Sequence, residues 1–210
     1  MTDIRAFIVD SQELEAFSDV LPELINDHYR TEYLSSKLAQ RKLNMLAAGA
    51  LLACFADIGP GVRIICNENG KPHAEGRDHF SISHSDRYTV LALCENEPVG
   101  IDIERIGRVT ARIINKVSGF DTSSASDLEL AREWTRIEAA LKQKGTGFYY
   151  DPLRLDFDAL YFSTCVYGGC CISCASETEH CFRLDLAKIK IEDSKIKHIS
   201  ENIFRKDFLT

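Results

Sequence analysis

Two carboxylates separated by one residue, Asp102 and Glu104 in Val99-Gly100-Ile101-Asp102-Ile103-Glu104-Arg105, are the pair in this chain most able to do chemistry. Strand side chains alternate between faces, so both acids share one face while Val99, Ile101 and Ile103 would anchor the other in a core. Like charges held side by side on a rigid element need a proton or a cation between them, and hard oxygen donors favour magnesium or manganese over softer metals. An Asp-x-Glu on a strand is also an ordinary solvated outer face, so the metal reading depends on further groups converging there.

The first of these is downstream. Leu130, Trp134, Ile137 and Leu141 recur at helical spacing in Glu129–Lys142, with Ser126 and Glu129 as a capping box and Gly145 as the stop. Glu138 lies beside that apolar stripe and about one turn from both Trp134 and Leu141, where an unpaired carboxylate is costly. Lys142 shares its flank, either as a surface i,i+4 partner or as a ligand for a shared anion. The second is Phe80–Leu93, an expected hairpin turning at Asp86-Arg87, in which Phe80 and Ile82 alternate with serines. Its Ser83 and His84 are suitable donors to a phosphate oxygen, although a lone histidine is commonly structural.

Taken in order across residues 41–147, these segments resemble the Sfp-type branch of the 4'-phosphopantetheinyl transferase superfamily. The similar stretches are Arg41 through Leu52 with Gly49, then Gly70-Lys71-Pro72, Ser83-His84, Gly100-Ile101-Asp102-Ile103-Glu104, and Trp134 through Lys142 followed by Gly145 and Gly147. The resemblance implies an α+β fold of two similar lobes related by pseudo-twofold symmetry, residues 1–104 and 105–210, with coenzyme A in the cleft between them. The activity it implies is transfer of the phosphopantetheine arm of coenzyme A to a serine of an apo acyl or peptidyl carrier protein, releasing adenosine 3',5'-bisphosphate, in fatty-acid, polyketide or nonribosomal-peptide synthesis. Carried over by position, Asp102, Glu104 and Glu138 would ligate Mg2+ (or Mn2+), and Glu138 would also act as general base. Lys142 would stabilise charge on the phosphate, while Arg41, Lys71, Ser83 and His84 would hold the coenzyme.

One departure stands out: the lysine usual before the glutamate is Ile137 here, so either Arg136 supplies that charge or a phosphate contact is missing. Two other readings stay open: a different metal-dependent enzyme cleaving pyrophosphates, and a binding homologue without transfer.

The elements that must position these residues are ordinary for a globular chain of 210 residues, 45% hydrophobic and 27% charged. Expected are a first strand within Met1–Val9, helical segments broken near Pro22, a helix from about Ser36 to Phe55, a strand at Val62–Cys66 and a turn at Asn67–Pro72. A short helix near Thr110–Val117 follows, and strands at about Leu160–Val166, Cys170–Ala175, Cys181–Leu186 and Lys188–Ile191. No apolar run is long enough to span a bilayer, and the first residues read as a strand, so a cytoplasmic monomer is expected. A net charge of −7 argues against nucleic-acid binding and places any acidic carrier on a local basic group, around Arg30, Lys37, Arg41 and Lys42 or around Lys188, Lys190, Lys195, Lys197, Arg205 and Lys206. Of the eight cysteines, Cys171-x-x-Cys174 offers one zinc-ligand pair without a second at usual spacing. The alternation around Gly168-Gly169 instead expects a hairpin in which Cys170, Ile172 and Cys174 share a face as small hydrophobes.

Overall fold

In a computed structural model, residues 2–206 of the chain are described. The chain begins with β1 (Thr2–Asp10), two 3-10 turns, α1 (Asp27–Ser35) and the long α2 (Ala39–Phe55). Two short strands, β2 (Ile64–Cys66) and β3 (Pro72–Ala74), precede the hairpin β4 (His79–Ser85) and β5 (Tyr88–Cys94), then β6 (Gly100–Arg105). The second half runs α3 (Ala111–Val117), α4 (Asp127–Lys144), β7 (Tyr161–Tyr167), β8 (Cys170–Ser176), β9 (His180–Glu192) and β10 (Lys195–Lys206).

Apolar patterning explains how these stack. A five-stranded sheet of order β10-β9-β1-β5-β4 is buried on both faces along its strands β1 and β5. On one side Phe7, Val9, Leu91 and Leu93 pack with Leu46, Leu51 and Leu52 of α2; on the other, Ile4, Ala6, Ile8, Val90 and Ala92 meet Ile101, Ile103, Cys165, Cys170, Ile172 and Cys174. Those last residues come from a three-stranded sheet of order β6-β8-β7, whose outer face carries α4. The result is helix, sheet, sheet, helix, an α+β arrangement. Across the chain, β6 pairs antiparallel with β8, and the late strand β9 runs parallel to β1.

The local expectations hold for both hairpins, for α3 and for α4, whose Ser126 and Glu129 form the capping box and whose Gly145 adopts the left-handed conformation at φ 70°. Cys171 and Cys174 face opposite ways: Cys171 lies 3.7 Å from Thr135 Oγ1 on α4, while Cys174 is in the core between the sheets. Burial pushes Cys170 up to about 11 and Cys165 up to about 12, keeping these thiols protonated.

Three boundaries differ. α2 starts at Ala39, because α1 ends at Ser35 and the chain crosses in extended form, and the expected strand at Val62 begins at Ile64. Two expected strands, Cys181–Leu186 and Lys188–Ile191, are one strand, and β10 was not anticipated. The apolar phase of β9 changes midway: Phe182 and Leu184 enter the core between the sheets, whereas Ala187 and Ile189 enter the core beneath α2. A strand buried on alternate faces reads in sequence as a break.

Candidate active site

β4 and β6 are edge strands of different sheets, and a ladder of serines joins them. The Ile101 amide donates to Ser81 Oγ (3.1 Å), Ser83 Oγ donates to Asp102 Oδ1 (2.7 Å), and Ser85 Oγ donates to Glu104 Oε1 (2.7 Å). The Phe80/Ile82 alternation that turns these serines to one side was visible in sequence; that they match Ile101, Asp102 and Glu104 rung for rung was not.

α4 is brought against β6 by a missing side chain. A Cβ on Gly100 would lie 1.9 Å from Ala139 O and 2.5 Å from Gln143 N, so no other residue permits this approach. The helix thereby presents Glu138 and Lys142 to the acid-bearing face of β6.

Lys142 Nζ donates to Asp102 Oδ1 at 2.6 Å and to Ser83 Oγ at 2.8 Å, so its partner is Asp102 across the interface and not Glu138 one turn away. Asp102 is 4% exposed and its Oδ2 has no hydrogen-bond partner. Burial raises its carboxyl above the usual range, with Lys142 and Ser83 opposing that shift. Glu138 is half-buried; burial pushes its carboxyl up to about 7, Lys142 works against this, and the charges of Asp102 and Glu104 add to it. Glu104 also accepts from the Arg105 amide and pairs with Arg108 at 3.5 Å.

Among the described residues, no three His, Cys, Asp or Glu side chains close into a group ready to hold a metal. Lys142 and Ser83 engage Asp102 Oδ1, and Ser85 engages Glu104 Oε1. The donor chemistry nevertheless suits a hard cation: three carboxyls near enough to perturb one another, one with a buried, unpartnered oxygen.

Beside this cluster lies a cleft of about 360 Å3 whose walls include His28, Tyr29, Lys71, His84, Lys142 and Gly145. His84 is open to solvent, yet packing against the wall holds its imidazole below the ordinary value, with Lys142 and Arg41 adding to the effect. Arg41 is not among the residues that line the cleft, and it pairs with Glu32 at 3.0 Å. Lys71 lines it, but its Nζ is directed at backbone, donating to Val99 O and Gln143 O, both at 3.1 Å.

Ile137 is fully buried. The Arg136 guanidinium lies over Phe157 (5.5 Å to the ring centre) and Phe162 (4.5 Å). It is thus packed on two aromatic faces. Of the two basic groups, Lys190 and Lys197 sit directly opposite on exposed strand faces, whereas Arg30 and Arg41 are paired with Glu23 and Glu32.

Comparison with known proteins adds a family likeness to this geometry. No family model matches the chain. It is similar to enzymes named 4'-phosphopantetheinyl transferase, the class that the motif order suggested. One from Aneurinibacillus migulanus, 4'-phosphopantetheinyl transferase gsp, is 38% identical over 114 residues, covering 48% of this chain and 46% of the relative. A 4'-phosphopantetheinyl transferase of Bacillus subtilis is 30% identical over 116 residues, half of each chain. The 4'-phosphopantetheinyl transferase Sfp of Bacillus subtilis strain 168 is 32% identical over 99 residues, 41% of this chain and 42% of the relative. The chain thus spans about half the length of the curated relatives it matches. No helix among the described residues is long and apolar enough to cross a membrane.

Proposed function

We propose that this protein transfers the 4'-phosphopantetheine group of coenzyme A to a serine of an apo acyl or peptidyl carrier protein. The observation that carries this reading is the convergence of Asp102, Glu138 and Lys142, from two elements locked together at Gly100, beside an open cleft with His84 in its wall.

The chemistry asked of the site is attack by a neutral hydroxyl on a dianionic pyrophosphate, which requires alignment, proton removal and charge neutralisation. A carboxyl near pH 7, as Glu138 is, takes the serine proton without being so basic that it is always protonated. Lys142 supplies positive charge at the phosphorus and His84 a donor along the cleft with Lys71 in its wall, while Ser83 and Arg41 are taken as coenzyme contacts on the motif resemblance. Asp102, Glu104 and Glu138 would hold Mg2+ or Mn2+, which when bound neutralises charge on the pyrophosphate. Binding there asks Lys142 to release Asp102 Oδ1 and follow the phosphate. No covalent enzyme intermediate is needed, so the buried cysteines have no part in the reaction.

The coenzyme cleft is read as lying between two related halves. In support, β1-β5-β4 with α2 and β6-β8-β7 with α4 have the same order: strand, helix, then a hairpin whose second strand pairs antiparallel with the first. The direct test is to incubate the protein with coenzyme A, Mg2+ and several unrelated apo carriers and to weigh the carriers. A gain of one phosphopantetheine is expected; unchanged mass with all of them defeats the proposal.

A further inference from the structure

The turn between β2 and β3 does more than line the cleft. Asn67 organises it: its Oδ1 accepts from the Asn69 and Lys71 amides (3.0 and 2.8 Å), and its own amide donates to Lys71 O (2.9 Å). From that frame two side chains reach the end of α4. Asn67 Nδ2 donates to Gly145 O at 2.8 Å, and Lys71 Nζ donates to Gln143 O and to Val99 O just ahead of β6, each at 3.1 Å. A Cβ at Gly145 would fall 2.9 Å from Asn67 Nδ2 and 3.1 Å from Lys71 Cδ, which shows how closely the turn is seated.

The last carbonyls of a helix lack intrahelical partners and carry its negative pole, so an ammonium placed there is both a cap and a countercharge. Here that cap comes from a segment 72 residues away and simultaneously grips the strand that bears Asp102. Lys142 immediately precedes Gln143, and Glu138 lies about one turn further back.

We propose that Lys71, with Asn67, is a positioning residue: it pins the last turn of α4 to the start of β6, and so sets Lys142 and Glu138 against Asp102. Its ammonium acts through those carbonyls and not by contact with a phosphate of the coenzyme. This rests on the transferase reading for its kinetic consequences, but the pinning itself does not.

The test compares Lys71→Met, Lys71→Arg and Asn67→Ala with the parent protein, using coenzyme A and 3'-dephospho-coenzyme A. Misplacing catalytic groups by a fraction of an ångström lowers kcat, on the order of 10- to 100-fold for Lys71→Met, with KM unchanged and the same loss for both coenzymes. Asn67→Ala, which removes no charge, should show the same division with a smaller loss, and Lys71→Arg should recover part of kcat. A raised KM with kcat intact, lost when the 3'-phosphate is absent, overturns the proposal. If Lys71→Met fails to fold, Asn67→Ala decides: a parental kcat overturns the proposal. Hydrogen exchange separates this inference from the function itself. Faster exchange of the Gly145 and Thr146 amides, which bond back to Lys142 and Leu141, is expected in folded Lys71→Met or Asn67→Ala whether or not the parent transfers phosphopantetheine, and unchanged exchange overturns the pinning.

Discussion

Lys142 on α4 and Asp102 on β6, 40 residues apart in sequence, meet at 2.6 Å with Asp102 almost wholly buried. This pair joins the two elements on which the proposed site stands, and its energetics are those of a buried charge that one partner keeps satisfied. Lys142→Met strands the carboxylate and should cost about 3 kcal/mol of folding stability near neutral pH. Adding Asp102→Asn should restore most of that loss. Urea unfolding of both single variants and the double variant measures the coupling, and additive losses would show that the two groups do not support each other.

Gly100→Ala tests the close approach of helix and strand. The added methyl would meet Ala139 O and Gln143 N at distances no relaxed contact allows, so α4 must move off β6. We expect a loss of at least about 2 kcal/mol and a collapse of activity together. Parental thermal stability in this variant would contradict the packing described.

Glu138 makes the stability of the metal-free protein depend on pH. Its carboxyl is raised from 4.5 to about 7, so between those values the folded protein holds a proton that the unfolded chain has released. Its contribution is therefore complete below about 4.5 and is lost as pH rises through about 7. The thermal midpoint without divalent cations should fall from pH 5 to pH 8, and Glu138→Gln should remove part of that slope. Adding Mg2+ should flatten the slope, because a cation on the carboxylate opposes protonation, and a slope unchanged by Mg2+ would take Glu138 out of the metal site.

Chelation of divalent cations should abolish transfer, and titration with Mn2+ followed by electron paramagnetic resonance should show one site that is weakened at least about tenfold by Asp102→Asn or Glu138→Gln. Transfer persisting in excess chelator would take the metal out of the mechanism.

Arg136→Met addresses the departure at Ile137. Because the guanidinium rests on Phe157 and Phe162, its loss should cost about 1 kcal/mol of stability and leave the KM for coenzyme A unchanged. A KM increase would mean that Arg136 does reach the coenzyme.

From the sequence alone the local pieces were legible. The period and caps of α4, the alternation that pairs Asp102 with Glu104 and the two hairpin turns depend on neighbours a few residues away, and such rules act before the chain has a tertiary fold. What only the tertiary structure decided was which charge answers which. Lys142 bonds to Asp102 and not to Glu138, Lys71 caps a distant helix, and Arg136 lies on aromatic rings. Those choices follow from how near α4 comes to β6 at Gly100 and from how the β2–β3 turn seats on the helix end. Long flexible charged side chains reach several partners from one backbone position, so their final partner is set by desolvation and distance in the assembled fold, neither of which spacing along the chain encodes.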